Sequence, residues 1–372
     1  MTDRSWTFRT AATVVAIAAA SATFSTFAVA QAAEKPAGTP AVDRQDPQPA
    51  KAREHDFDGP YSRTQDAQRE EALQQVIAGQ ATVKQRDGSK VVQLKGRKGD
   101  SKYVELGREK TDKIFTILVE FGDQVDPRYG GTPGPLHNRI EAPDRTTNNS
   151  TDWQADFDRA HYQDLYFGKG AATLKSYYEK QSSGRYSVDG EVTDWVKVPY
   201  NEARYGSNDA ATGAWYAVQD GVNAWVAGRE AAGDTAAEIS AELAEFDQWD
   251  RYDFDGDGDF NEPDGYIDHF QIVHAGEDES AGGGAQGEDA IWAHRWYAFG
   301  TDKGVTGPDT NKRGGTEIGD TGVWVGDYTI QPENGGLGVF AHEYGHDLGL
   351  PDEYDTSGGG ENSTGFWTLM SS

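Results

Sequence analysis

The residues of this sequence best suited to do chemistry are two histidines four positions apart, with a glutamate between them. They lie in the run His342-Glu343-Tyr344-Gly345-His346-Asp347-Leu348-Gly349-Leu350-Pro351-Asp352. On an α-helix, His342 and His346 project from the same face, so both imidazoles can bind one metal ion. Glu343 is displaced around the helix, and its carboxylate can reach a water on that ion without becoming a ligand. The spacing predicts a catalytic zinc site in which Glu343 acts as general base and then as general acid.

A catalytic zinc ion takes three protein ligands and keeps a fourth position open, so a third ligand must follow the helix. Gly349 can adopt the positive φ that ends a helix, and Pro351 opposes its continuation, so the chain is expected to turn back there. Asp352 is the predicted third ligand. Glu353 and Asp355 are alternatives that the spacing alone leaves open.

Met370 is the only methionine after the initiator, and it lies 24 residues beyond His346. A lone methionine usually fills a gap in a core. A Met-bearing turn beneath the metal is, however, typical of one large clan of zinc peptidases that share a glycine-elongated zinc motif. The combination predicts that Met370 belongs to such a Met-turn.

A second group of residues is strongly acidic and lies in the run Asp253-Phe254-Asp255-Gly256-Asp257-Gly258-Asp259-Phe260-Asn261-Glu262-Pro263-Asp264. It matches the spacing of calcium loops, in which alternate oxygen ligands wrap a hard cation and a glycine permits a sharp turn. The predicted ligands of a structural Ca²⁺ are Asp253, Asp255, Asp257, Asp259 and Asp264. The last position carries aspartate instead of the usual glutamate and follows a proline, so a strand is expected next instead of a second EF-hand helix. A solvated acidic loop without an ion is the alternative.

Composition limits the possible functions. The chain has 372 residues, no Cys, and 34 basic against 62 acidic residues, which gives a net charge of −28. Without Cys there are no disulfides, no thiol catalysis and no thiolate metal sites, so His and carboxylates must hold any metal. The negative charge argues against nucleic acid and anionic membranes as partners and favours cations. The length fits one large domain or two.

Residues 1–30 have the three-part layout of a secretory signal peptide. Arg4 and Arg9 precede an apolar stretch, and the small residues that end at Ala30 fit a cleavage site. A membrane anchor is the alternative, but small and hydroxylated residues dominate the stretch. The mature chain is therefore expected to be secreted, extracellular and free of the membrane after signal removal.

Residues 31–110 are predicted to be a prosegment. They begin with a Pro-rich leader that has too little apolar surface to fold alone. The basic residues from Lys95 to Lys102 suit proteolytic trimming, although a small N-terminal domain that stays attached is an equally good interpretation. Because no Cys is present to block a zinc ion, a carboxylate such as Asp56 or Asp58 is the hypothetical cap of the metal.

Two short elements are predicted within this segment. A helix is expected to begin at Ser62, with Gln65 completing a capping box, and to end at Gly79. Its predicted apolar stripe consists of Leu73, Val76 and Ile77. A strand is expected at Val91-Val92-Gln93-Leu94.

Residues 111–372 are expected to form the catalytic domain, an α/β or α+β fold. A short β-rich run, 114–119, is typical of a buried strand. Asp189-Gly190 fits the turn of a hairpin within a β segment. The predicted β segments are 186–198, 266–273 and 323–330, and apolar residues at helical spacing predict helices around 174–178, 215–226 and 239–246.

These motifs make the chain resemble the metzincin-like zinc endopeptidases, and within them the immune inhibitor A family of secreted bacterial metallopeptidases. The likeness rests on the run 342–352, on the acidic loop, on Ser176-Tyr177-Tyr178-Glu179-Lys180-Gln181-Ser182 and on Ile291-Trp292-Ala293-His294-Arg295-Trp296. The resemblance covers about residue 113 to the end. It implies a mixed sheet with an active-site helix, a prosegment, catalytic zinc and structural calcium. Since the family continues beyond the position of Ser372, the domain is expected to be truncated at its C-terminus.

The leading hypothesis is a secreted zinc endopeptidase acting on protein or peptide substrates. A non-catalytic, calcium-dependent binding or adhesion protein on a peptidase scaffold is the alternative from another class, and a zinc hydrolase of non-peptide amides is a third possibility. The presence of Glu343 favours an enzyme, because a binding scaffold has no chemical need for it. A further group must stabilise the developing oxyanion, and the pattern favours none of the candidates Tyr328, His274 and His294.

Overall fold

The computed structural model describes residues 57–95, 101–356 and 364–371. The predicted signal peptide and Asp56 lie outside these ranges. The α-helices are α1 (Ser62–Ile77), α2 (Arg159–Phe167), α3 (Leu174–Gln181), α4 (Ala203–Gly206), α5 (Gly213–Ala232), α6 (Ala236–Leu243) and α7 (Leu337–Asp347). The strands are β1 (Val83–Arg86), β2 (Ser89–Lys95), β3 (Ser101–Arg108), β4 (Thr111–Gln124), β5 (Ser187–Tyr200), β6 (Phe270–His274), β7 (His294–Tyr297), β8 (Thr316–Glu317), β9 (Trp324–Val325) and β10 (Asp327–Pro332).

The central sheet has five strands in the order β5-β4-β6-β10-β7. β4 is parallel to β5 and β6, and β10 is parallel to β6, whereas β7 is antiparallel to β10 and forms one edge. Successive side chains of a strand point to opposite faces, so β4 contributes to two separate apolar cores. Phe115, Ile117 and Val119 enter one core, and Ile114 and Leu118 enter the other.

Helices cover both faces of this sheet. α5 and α6 pack on one face through Trp215, Val218, Val222, Ile239 and Leu243. α2, α3 and α7 pack on the other face through Tyr162, Leu174, Tyr178, Phe340 and Tyr344. The predicted α/β class, with a mixed sheet and an active-site helix, is confirmed. The aromatic core thus anchors α7, the helix that carries the histidine motif.

A second, three-stranded antiparallel sheet of order β1-β2-β3 precedes the central sheet, and α1 packs on it. The prediction for the apolar stripe of α1 was wrong for two of its three residues: Leu73 is 51% exposed and Ile77 78% exposed, whereas Val76 packs against the small core in which Ala72 is buried. The capping box is also absent. Ser62 is already inside the helix, and the side chain of Gln65 donates to the backbone carbonyl of Arg251 instead.

Two details of the predicted strands are corrected by the structure. Asp189-Gly190 is not a turn, because β5 runs through it as one continuous strand parallel to β4. Glycine is required there since a Cβ at Gly190 would lie 2.0 Å from the carbonyl oxygen of Ile114. The segment 323–330 is divided between β9 and β10, which belong to different sheets.

All described residues belong to one compact unit. Within the part of the chain that the structure describes, no helix has both the length and the apolar character needed to cross a membrane.

Candidate metal centre and cleft

The helix α7 carries the histidine motif and ends where the sequence predicted. Phe340 and Tyr344, on the face opposite to the cleft, are fully buried. Beyond the last turn, Gly349 has a φ of +88°, and its N–H donates to the carbonyl oxygen of His346 at 2.8 Å. The positive φ, which glycine adopts without a steric penalty, redirects the chain toward Asp352.

Three potential ligand atoms converge on the cleft side of α7. Nε2 of His342 and Nε2 of His346 are 3.1 Å apart. Oδ1 of Asp352 lies 3.4 Å from the first nitrogen and 3.1 Å from the second. Each Nδ1 lies against a backbone carbonyl, that of Leu369 at 2.9 Å or that of Leu350 at 2.8 Å. Because Nδ1 then carries the proton, both Nε2 atoms present lone pairs to the same point.

The donor set fits a zinc ion. Ligands at 2.0–2.1 Å in a tetrahedron are separated by about 3.3 Å, which is close to all three measured separations. Two imidazole lone pairs and a carboxylate oxygen at these distances repel one another, and a cation between them removes the repulsion.

The alternatives for the third ligand lie elsewhere. Among the described residues, the structure groups Asp352, and neither Glu353 nor Asp355, with the two histidines. Glu353 is exposed, and its backbone N–H donates to the carbonyl oxygen of Met370 at 2.8 Å. This hydrogen bond joins the ligand loop to the segment around Met370.

Met370 is buried against the helix α7. A Cβ added at Gly345 would lie 2.8 Å from the Met370 sulfur. A residue larger than glycine at this position of the motif would therefore clash with Met370. The neighbouring carbonyl of Leu369 accepts from His342. The segment therefore packs against α7 at Gly345 and orients the ring of His342, while its assignment as a Met-turn stays a prediction.

An open cleft of about 1080 Å³ is bordered by one of the three potential ligands, His342. Its walls include His342 and Glu343 of α7, Trp292 and Ala293 just before β7, and residues of the Met370 segment. Glu343 is only 2% exposed, yet its side chain borders the cleft, as a general base for a metal-bound water must.

Tyr354 is a cleft residue that the sequence analysis missed. It borders the cleft together with Glu343. Burial, followed by the charges of Asp352 and Glu343, raises the pKa of Tyr354, so the phenol keeps its proton and acts as a donor. Its position two residues after Asp352 was visible, but the direction of its side chain depends on the loop conformation.

The three candidates for stabilising the oxyanion do not border the cleft. Nε2 of His294 and the Tyr328 hydroxyl are 3.0 Å apart inside the protein. His274 is fully buried, with Nδ1 3.3 Å from Glu202. Their positions indicate structural roles for all three residues.

A buried network of charges fixes the C-terminal end of α7. Asp347, next to His346, accepts from the Arg251 guanidinium at 3.1 Å and contacts Nδ1 of His269. Nε2 of His269 lies 3.5 Å from Asp112 of β4, which pairs with Arg108 at 2.9 Å. Acidic and basic side chains therefore alternate along a buried chain of contacts that begins next to His346.

These charges shift one another's pKa values. Burial alone would lower the pKa of His269, but the carboxylates of Asp347 and Asp112 outweigh it and raise the pKa to about 9. Burial alone would raise the pKa of Asp112, but His269 and Arg108 lower it to about 2. At neutral pH the network is therefore ionised, with His269 as a cation.

The network also reaches the N-terminal segment. Arg251 lies 3.7 Å from Asp327, and Asp327 pairs with Arg295. Arg295 in turn binds Asp58 at 3.0 Å, and its backbone carbonyl accepts from the N–H of Phe57. Asp58 thus pairs with a guanidinium of the edge strand β7 and does not join the three ligand atoms, contrary to the hypothesis that it caps the metal.

The acidic loop brings part of its predicted ligand set together. Carboxylate oxygens of Asp253, Asp255 and Asp257 lie within 4.8 Å of one another, and so do those of Asp250, Asp255 and Glu262. Gly256 and Gly258 have positive φ values of +81° and +83°, which let the loop fold back on itself. Burial and the neighbouring carboxylates raise the pKa values of Asp253 and Glu262, as expected for acids crowded together without a cation.

Two predicted members of this set lie apart from the clusters. Oδ2 of Asp264 is 2.9 Å from the buried guanidinium of Arg313. Asp259 accepts from the backbone N–H of Asn261. Asp250 and Glu262, which the sequence spacing did not single out, form the second group with Asp255.

Comparison with known proteins agrees with this geometry. Residues 100–372 match the family described as immune inhibitor A peptidase M6, catalytic domain. Immune inhibitor A from Bacillus thuringiensis subsp. alesti is 40% identical over 281 residues, which are 71% of this chain and 36% of that protein. Pre-pro-metalloprotease PrtV from Vibrio cholerae serotype O1 (strain M66-2) is 38% identical over 281 residues, which are 72% of this chain and 28% of that protein. The chain therefore spans about a third of these relatives, and it belongs to the immune inhibitor A family of M6 peptidases.

Proposed function

We propose that this chain is a secreted zinc-dependent endopeptidase that hydrolyses protein or peptide substrates. The observation that carries the proposal is the convergence of His342 Nε2, His346 Nε2 and Asp352 Oδ1 beside Glu343 on the wall of an open cleft. The names of both relatives, one of them a metalloprotease, support it.

Different residues of the chain have different roles in hydrolysis. A zinc ion held by His342, His346 and Asp352 would supply the polarisation of a water and of the scissile carbonyl. Glu343 takes the proton from the attacking water at its carboxylate and delivers it to the leaving amine. The carbonyls of Leu369 and Leu350 hold the Nδ1 protons of the histidines, which fixes the ring orientations before substrate binds. The cleft walls bind and align the peptide.

Removing the metal is expected to abolish casein hydrolysis, and adding back one equivalent of zinc is expected to restore it. Asp352→Ala should lower the zinc content of the purified chain, because it removes one of three ligands, whereas Glu353→Ala should retain it. The measurement is peptidase activity together with metal content on the same samples. Full activity in the metal-free chain would refute the proposal.

We also propose a structural calcium ion in the acidic loop. The support is the grouping of Asp253, Asp255 and Asp257 in a tight loop whose Gly258 N–H donates to Asp253 at 2.7 Å. The loop also contacts the N-terminal sheet, since Arg86 donates to the carbonyl oxygen of Gly258 at 2.8 Å. An ion there would join the ends of the loop and relieve the repulsion between its carboxylates.

Calcium is expected to raise the melting temperature of calcium-free, zinc-loaded protein. Binding at a hundred times the dissociation constant stabilises the folded state by about 2.7 kcal/mol, which corresponds to roughly 5 °C for a domain of this size. Asp255→Asn should weaken this response because Asp255 belongs to both carboxylate groups. Asp320→Asn, on an exposed loop, is the matched control. A melting temperature that calcium does not change would rule out the site.

The N-terminal region is proposed to be a signal peptide followed by a prosegment. The name of the Vibrio relative describes a protein made with both. In the present chain, Phe57 and Asp58 both bind Arg295 of the edge strand β7. Sequencing the N-terminus of the secreted protein is expected to find Gln31 first and a start near residue 110 after maturation. A secreted protein that still begins at Met1 would contradict the signal peptide, and one that keeps Gln31 through activation would contradict the prosegment.

A further inference from the structure

One wall of the cleft is a short segment that leads into the edge strand β7. Trp292 and Ala293 of this segment border the cleft, with Trp292 half-buried and Ala293 buried. Residues 291–293 belong to no helix or strand, so the hydrogen bonds of regular structure do not fix their backbone. The place of this wall relative to Glu343, which borders the same cleft, must therefore come from other contacts.

The first residue of the segment, Ile291, is attached to the interior through both of its backbone groups. Its N–H donates to Oε1 of Glu202 at 3.0 Å, and its carbonyl oxygen accepts from the N–H of Glu279 at 3.2 Å. Glu202 is fully buried and lies 3.3 Å from Nδ1 of His274, the last residue of β6. The start of the wall is thus held against the central sheet.

Asp278 holds the part of the wall that borders the cleft. Its Oδ2 accepts from the N–H of Ala293 at 2.7 Å, and its Oδ1 accepts from the N–H of Ser280 at 2.7 Å. Asp278 is only 6% exposed, and it borders the cleft itself. Hydrogen bonds from backbone N–H groups to a carboxylate are roughly twice as strong as those between neutral groups. One carboxylate therefore joins the two chain segments of this wall, 278–281 and 291–293.

We propose that Asp278 is a positioning residue for peptide binding: by bridging Ala293 and Ser280, it holds the wall that carries Trp292. This inference deepens the proposed peptidase function and rests on it. Asp278 acts through the wall and does not touch the reacting atoms. When the wall is displaced, the peptide is bound less well while the metal ligands and Glu343 stay in place, so the loss is expected mainly in KM.

Asp278→Asn tests this role because asparagine keeps the size of the side chain but has only one acceptor oxygen for the two N–H groups. Hydrolysis of an internally quenched peptide by the zinc-loaded protein is measured together with zinc content and melting temperature. The expected result is a KM about tenfold higher, with kcat within about twofold and zinc content unchanged. The melting temperature should fall by no more than about 5 °C.

Asp158→Asn is the matched control. The Asp158 side chain caps α2 by accepting from the N–H of His161 at 2.8 Å. Asparagine caps a helix about as well as aspartate, so this variant should leave KM, kcat and zinc content unchanged.

A second comparison separates positioning of the wall from a general effect on the fold. If Asp278 acts through the wall, Asp278→Asn should raise KM less in a Trp292→Ala chain than in the unaltered chain. An unchanged KM, an undiminished effect in the Trp292→Ala background, or loss of zinc or of the fold in Asp278→Asn would each overturn the inference. Failure of the unaltered protein to hydrolyse either the peptide or casein would instead overturn the proposed function.

Discussion

Replacing Glu343 with glutamine is expected to reduce casein hydrolysis by about 10²- to 10⁴-fold while one zinc ion per chain remains. Glutamine keeps the size of the side chain and its place beside the cleft, but it cannot accept the proton of the attacking water. Glu343 borders the cleft and is not one of the three grouped ligands, so the metal site itself should be preserved. Activity and metal content must be measured on the same sample, because lost zinc would produce the same loss of hydrolysis.

Glu353→Gln is the control for this experiment. It makes the same chemical change on an exposed residue ten positions along the chain, and near-normal activity is expected. Loss of zinc from Glu353→Gln would favour Glu353 as the third ligand. A Glu343→Gln chain that hydrolyses casein at the normal rate with its zinc in place would refute the assignment of the general base.

The histidine motif could be predicted because its geometry is local. Within one helix, the positions of His342, Glu343 and His346 follow from the helical period, and the aromatic stripe predicts which face is buried. The third ligand depends on the path of the chain after Gly349, so spacing could rank Asp352 first but could not exclude its neighbours. Tyr354 was missed for the same reason.

The buried network lay beyond the sequence analysis because its partners are far apart in the chain. Asp347 meets Arg251 and His269 only after β4, β6 and α7 have packed together. Nothing in the pattern around Asp112 distinguishes it from a surface aspartate. Individual strands could be predicted from the sequence. Their order in the sheet, with β7 antiparallel at the edge, could not, because it depends on contacts between segments that are far apart in the chain.

The two wrong local predictions also have physical reasons. Leu73 and Ile77 would be buried only if a partner surface covered that face of α1, and the helix instead packs through Ala72 and Val76. Asp189-Gly190 has the composition of a turn, yet glycine serves equally well where a neighbouring backbone comes too close for a Cβ. At Gly190 that neighbour is Ile114 of β4.

The second large effect is expected from Asp347→Ala, which should destabilise the metal-free protein by about 3–5 kcal/mol. The substitution leaves the buried cations Arg251 and His269 without their shared carboxylate, and an unpaired buried charge is costly. Urea unfolding of the metal-free chain measures this cost without a contribution from zinc binding. Asp234→Ala, which removes a partly exposed partner of Arg229, is the matched control and should have a much smaller effect.

The same network predicts how stability depends on pH. The pKa of His269 is raised from 6.5 to about 9 in the folded protein, so its contribution is complete below pH 6.5 and disappears as the pH rises through 9. The loss attributable to this residue is at most about 3 kcal/mol. His269→Gln should remove that part of the pH dependence, because other titrating groups are common to both proteins. The contradicting result is a difference in unfolding free energy between the two chains that does not change from pH 6 to pH 9. His269 would then not be a cation in the folded state. In that case the destabilisation by Asp347→Ala would come from the unpaired Arg251 alone.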